Sequence, residues 1–228
     1  MQDDDKRAAA LAAVAEVRDD MLVGLGTGST AYWAIAALGE RVAAGLRISV
    51  VATSEASAAQ ARDLAIPLLD MAEVGAVDLT IDGADEIDGR CFAIKGAGGA
   101  MTREKIVAAA SRRMVVIADG SKRVERIGGV PLPVEVLPFA QAFVTAQLKA
   151  LRGHSVLREK DGAPYLTDSG NLVLDVQFAA MRYPVSLARK LDALPGVIGH
   201  GLFLREVDAA YIADGGIVTT LERSRSLG

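Results

Sequence analysis

What most constrains this chain is a junction that recurs along its first half: a short apolar run, a loop of glycine with hydroxyl or acidic residues, then a helical stretch. Met21–Leu25 predicts a strand, GTGST (26–30) follows at once, and Ala31–Ala44 predicts a helix with Trp33, Ala37 and Leu38 on its inner face. Ahead of them, the alanine-rich residues 4–18 predict another helix. Leu46–Ala52, Ile66–Leu69, Val77–Ile81, Phe92–Ile94 and Met114–Ala118 predict further strands, with helices over Glu55–Leu64 and Thr102–Arg112. Strands alternating with helices over short loops require a parallel sheet with both faces covered, because every parallel connection crosses back over the sheet. The expectation is an α/β chain built on a Rossmann-like parallel-sheet domain.

The pattern changes at PLPVEVLPF, where Pro131, Pro133 and Pro138 cluster and mark a domain boundary. Beyond it the reading is strand 132–137, helix 139–151, strands 155–159 and 172–178, helix 184–194 and strand 197–204. That order, β-α-β-β-α-β, predicts a smaller ferredoxin-like α+β domain. Asp168, Ser169 and Gly170 supply a turn between its middle strands. Two closing strands, 209–213 and 217–222, flank Asp214, Gly215 and Gly216 and are assigned back to the first sheet. The domains are therefore expected at 1–130 plus 206–228, the catalytic part, and at 131–205.

Composition closes off several functional classes. Cys91 is the single cysteine, so neither an intrachain disulfide nor a cysteine-built zinc site is available. Acidic residues number 29 against 25 Lys and Arg, and aromatics are 4%, which argues against a general nucleic-acid binder while leaving room for a local anion pocket. No uncharged apolar run reaches the length of a membrane span. The start, MQDDDKR, is acidic where a signal peptide would be basic, so the expected location is cytoplasmic.

In open α/β sheets, ligands bind beyond the carboxyl ends of the strands. Four loops are predicted there: GTGST, DGAD (82–85), KGAGG (95–99) and ADGSK (118–122). GLGTGST offers close backbone approach, hydroxyls and then a helix start, whose free N–H groups attract phosphate. The plain alternative is a tight turn capped by Ser29 or Thr30. The spacing is neither G-x-G-x-x-G nor a P-loop, since no lysine follows the second glycine. DGADEID packs Asp82, Asp85, Glu86 and Asp88 into one stretch without calcium-loop spacing, and Asp88-Gly89 reads as a hairpin turn. KGAGGAMTREK joins Lys95 to a helix capped by Thr102 and carrying Glu104 in its first turn. Glu104 there either answers the helix dipole or overhangs an anion in the loop. With Lys95 and Asp82 it forms a base, an electrostatic stabiliser and a proton relay, a set suited to proton abstraction beside a carbonyl. Lys122 is either a solvated lysine or a phosphate contact. His154, His200, Cys91 and Trp33 read as structural.

Together and in order, GLGTGSTA, TSEAS, DGADEID, KGAGGAMTREK, ADGSK and PLPVEV resemble the type A ribose-5-phosphate isomerase family, and TDSGNLVLDV and LPGVIGHGLF resemble its second domain. The match covers nearly the whole chain. The resemblance implies interconversion of D-ribose 5-phosphate and D-ribulose 5-phosphate without metal or cofactor, through an enediolate. It implies Glu104 as the carbon base, aided by Asp82, Asp85 and Lys95. It implies substrate contacts from Thr27, Gly28, Ser29 and Thr30, from Asp82, Gly83, Ala84 and Asp85, from Lys95, Gly96, Ala97 and Gly98, and from Lys122, with Lys6 able to reach substrate. It also implies a homodimer or a tetramer, and leaves the non-oxidative pentose phosphate branch and carbon fixation both open as the pathway served, while the composition predicts no nucleic-acid or membrane partner. Ala97 stands where many members have glycine, so its backbone has to tolerate a Cβ, and Gly120 stands where many have alanine.

Two other classes compete. A non-catalytic sugar-phosphate sensor would need a DNA-binding module, and the reading finds no room for one before Met21. A nucleotide-dependent oxidoreductase would need a third glycine in register and a ribose-binding acid, but the second strand runs into Ala52-Thr53-Ser54.

Overall fold

The computed structural model describes residues 2–179 and 181–224; residues 225–228 of the first expected domain lie outside them. Six helices run over Gln2–Val14 (α1), Ser29–Ala43 (α2), Glu55–Asp63 (α3), Met101–Ala110 (α4), Gln141–Ala150 (α5) and Pro184–Asp192 (α6). The strands are Leu22–Leu25 (β1), Ser49–Ala52 (β2), Leu79–Gly83 (β3), Glu86–Ile87 (β4), Ala93–Ile94 (β5), Met114–Asp119 (β6), Leu132–Val136 (β7), Gly153–Leu157 (β8), Glu159–Lys160 (β9), Ala163–Pro164 (β10), Leu172–Phe178 (β11), Val197–His200 (β12), Leu202–Phe203 (β13), Ala209–Asp214 (β14) and Ile217–Glu222 (β15).

The large sheet has the order β15-β14-β6-β3-β1-β2, parallel except for β15. Every residue of β6 is buried, as expected of a strand covered on both faces. The alanines of α1 explain how it packs: Ala9, Ala10 and Ala13 are fully buried and join the core under α2 and the sheet. Arg41 on α2 donates to the carbonyls of Val14 and Val17, satisfying the carbonyl end of α1. Asp5 accepts the Gly216 N–H at 2.8 Å and ties the closing hairpin to α1. The fold is a Rossmann-like sheet with a second sheet beside it, as the sequence predicts.

The second sheet, β12-β7-β11-β8, is antiparallel throughout, the ferredoxin-like order, and has its own apolar cluster around Leu132, Val134, Val144, Leu148 and Val176. A small third sheet, β13-β5-β4, joins the two.

Several expectations are corrected. Ile66–Leu69 is no strand but a single parallel bridge from Leu68 to Val50, since Pro67 has no N–H to give a ladder. The strand expected over 197–204 breaks at Gly201, where the chain leaves β7 to pair with β5; a Cβ there would sit 2.1 Å from the Lys95 carbonyl oxygen. The exposed hairpin β9–β10 was not anticipated, so the 168–170 turn leads into β11 without directly joining the middle strands. The first helix ends at Val14, not residue 18.

Candidate active site

Three of the four predicted loops leave the carboxyl ends of parallel strands β1, β3 and β6. The fourth follows β5, outside the large sheet; β5 pairs antiparallel with β4, which directly follows β3, and Lys95 donates to the Gly83 carbonyl at the end of β3. The loops meet around a cleft of about 210 Å³, which Thr27–Thr30, Gly83–Asp85, Lys95–Gly98, Glu104 and Lys122 line together with Lys6 and Gln2 of α1.

Asp82 is the exception. It is fully buried behind Lys95 and is not part of the cleft wall. Its Oδ1 accepts the N–H groups of Thr27 (3.1 Å) and Gly83 (2.7 Å). Gly26 makes this possible, because a Cβ there would lie 2.1 Å from that oxygen. Asp82 Oδ2 lies 2.8 Å from Lys95 Nζ, which also approaches Glu104 Oε2 at 3.4 Å and donates to the Gly83 carbonyl. Lys95 is 2% exposed, and its ammonium sits 5.4 Å from the centre of the Phe203 ring. Asp82 Oδ2 and Glu104 Oε2 are buried with Lys95 as the cation both of them face.

That environment reorders the proton affinities. Burial, and next the charge of Asp82, push Glu104 up to about 8 against the pull of Lys95. Burial also raises Asp82, opposed by Lys95 and the two N–H groups. For Lys95, burial works against the charged form, but Asp82 and Glu104 together hold its affinity above the usual lysine value. Glu104 is thus the group poised to exchange a proton near neutrality.

The capping expectations are corrected. The N-cap of α4 is Ala100, not Thr102, and the N-cap of α2 is Gly28, with no side-chain cap from Ser29 or Thr30. Gly28 has φ 104°, a conformation glycine takes freely. The first turn of α2 has no acidic residue, and Gly28, Ser29 and Thr30 at its start line the same cleft as Lys6 and Lys122. Ala97 lies outside the left-handed region, so its Cβ is tolerated, while Gly96 at φ 105° is not replaceable in that way. Gly120 packs against Asp214, where a Cβ would meet the carboxylate carbon at 2.8 Å.

The four acids of DGADEID have four separate tasks. Asp82 holds Lys95, and Asp85 accepts the Ala97 N–H at 2.9 Å. Glu86 accepts three N–H groups, from Gly128, Gly129 and Val130. Asp88 closes the β4–β5 turn by accepting from Arg90 and Phe92. Among the described residues no group of three or more His, Cys, Asp or Glu side chains is placed to hold a metal ion. Nor is any helix among them long and apolar enough to cross a membrane. Sequence reasoning missed Gln2, and missed Phe203 although it closes the LPGVIGHGLF stretch, because neither side chain is of a type that signals chemistry.

A buried lysine between two acids, in a cleft at the edge of a parallel sheet that the start of α2 also lines, is the kind of site an α/β enzyme carries. The family model for Ribose 5-phosphate isomerase A (phosphoriboisomerase A) matches residues 49–216. Ribose-5-phosphate isomerase A of Sphingopyxis alaskensis is 53% identical over 97% of each chain, and that of Thermomicrobium roseum 48% identical over 97% of this chain and 95% of its own. Among solved structures, a D-ribose-5-phosphate isomerase in complex with phospho-erythronic acid superposes with a TM-score of 0.95 at 34% identity, covering 98% of this chain and all of that one. Ribose 5-phosphate isomerase A from Methanocaldococcus jannaschii gives 0.92 at 38% identity over 96% of this chain and 98% of its own. The chain belongs to the ribose 5-phosphate isomerase A family.

Proposed function

We propose that the chain interconverts D-ribose 5-phosphate and D-ribulose 5-phosphate through an enediolate, with Glu104 as the carbon base. The observation that carries this reading is the placement of Glu104: in the cleft, buried, 3.4 Å from the Lys95 ammonium and raised to about 8. Once the sugar ring has opened, Glu104 takes the proton from C2 of the aldose and its electrons flow into the C1 carbonyl. The same carboxyl then returns the proton to C1 as the C2 hydroxyl gives up its own proton to the C1 oxygen and becomes the ketone. Charge gathers on oxygen between these steps, and Lys95 with loop N–H groups stabilises it there. Asp82 acts through Lys95, holding the ammonium in place and sharing its proton, which replaces the direct relay expected for it. Asp85, on the cleft wall, is the acid in reach of a sugar hydroxyl.

The phosphate sits at the other end, against the N-terminus of α2, Lys6 and Lys122. Phospho-erythronic acid in the related structure fits this division, pairing a phosphate with a carboxylate that can stand in for the enediolate oxygens. We assign the chemistry to residues 1–130 with 206–228, and support of the loops to 131–205. Incubating the protein with ribose 5-phosphate and following ketose formation tests the reaction; no conversion would end the reading.

A further inference from the structure

The loop after Lys95 is held from behind by the ferredoxin-like unit. Arg158, just beyond β8, pairs bidentately with Asp175 of β11, Nε to Oδ2 at 2.9 Å and Nη2 to Oδ1 at 2.5 Å. Its Nη1 donates to the carbonyls of Gly96 (3.0 Å) and Ala97 (2.9 Å). The Tyr165 hydroxyl donates to the next carbonyl, Gly98, at 3.2 Å, and the Arg158 guanidinium lies 5.8 Å from that ring.

A trans peptide points its carbonyl and the following N–H in opposite directions. Drawing the Gly96 carbonyl to Arg158 therefore turns the Ala97 N–H the other way, and Asp85 accepts it at 2.9 Å. By the same geometry the Ala97 carbonyl on Arg158 turns the Gly98 N–H to the Asp85 side, where the cleft lies. No acceptor among the described residues takes that N–H.

We infer that Arg158, locked by Asp175, is a positioning residue that fixes the Gly98 N–H as a donor to the oxyanion formed during isomerisation. The inference rests on the isomerase reading above. Arg158 touches neither the cleft nor the reacting atoms, so its effect passes through the peptide planes it holds.

The test compares Arg158→Met and Arg158→Lys with the wild type in three measurements: turnover of ribose 5-phosphate, inhibition by phospho-erythronic acid, and amide hydrogen exchange over residues 96–99. Misplacing an oxyanion donor should lower kcat of Arg158→Met by about tenfold or more, since removing one outright costs roughly 10²–10³-fold. Phospho-erythronic acid should weaken by a similar factor while KM stays within about threefold, and Arg158→Lys should fall between. Loop exchange should quicken in both variants. A merely structural staple would lower thermal stability without separating kcat from KM. The inference is overturned if Arg158→Met keeps kcat within about twofold of wild type, or loses kcat with unchanged inhibitor affinity. If Arg158→Met does not fold, Arg158→Lys carries the same comparison. Wild-type protein without turnover would defeat the isomerase reading instead, and unchanged exchange at 96–99 would then still overturn the clamp.

Discussion

The ammonium of Lys95 lies 2.8 Å from a carboxylate oxygen of Asp82, and neither side chain is open to solvent. Such a pair survives burial because each charge answers the other. Removing one partner leaves a buried charge uncompensated, at a cost of roughly 3–5 kcal/mol. Asp82→Asn should therefore lower the urea midpoint clearly, and should also lower kcat, because Glu104 is then the one carboxylate of the pair left beside Lys95. A variant as stable and as active as wild type would show that the pair carries neither load.

Glu104 makes stability depend on pH in a defined direction. Its affinity is raised from 4.5 to about 8 in the folded chain, so the folded state keeps a proton that the unfolded state releases. The stabilisation is complete below the unfolded value and is lost as pH climbs through the folded one, at roughly 1.4 kcal/mol per pH unit across that window. Glu104→Gln has no proton to lose. Its melting temperature relative to wild type should therefore rise between about pH 4.5 and 8; a gap that stays level would remove Glu104 as the titrating group. Activity should follow the same proton, with kcat/KM increasing along an acid limb near about 8.

The phosphate seat is tested by comparing two sugars. A remote phosphate helps to position the reacting carbons, so unphosphorylated ribose should lose kcat/KM by several orders of magnitude. Lys122→Ala should narrow that gap, because it harms only the phosphorylated substrate. Equal losses on ribose and ribose 5-phosphate would place Lys122 at the reacting end or in stability.

Much of this was legible because it is local. Strand-end loops such as GTGST and DGAD announce themselves within a few residues, and the β-α-β-β-α-β order follows from periodicity and turn residues. What was not legible is long-range. Arg158 meets Gly96 and Ala97 across 62 and 61 residues, so no window of sequence ties them together. Gly201 marks the split between β12 and β13 only once Lys95 is known to lie against it. Asp82 is expected among the substrate contacts. The structure puts it one layer deeper, because Thr27, Gly83 and Lys95 together surround its carboxylate.

The central claim is that Glu104 moves the carbon-bound proton. Glu104→Gln preserves the shape of the side chain and removes the base, and positioned general bases contribute about 10²–10⁴-fold. The decisive measurement is kcat of the purified, folded variant on ribose 5-phosphate, beside its affinity for phospho-erythronic acid. The account predicts a fall in kcat of at least about a hundredfold with ligand binding retained; turnover near the wild-type rate would contradict it.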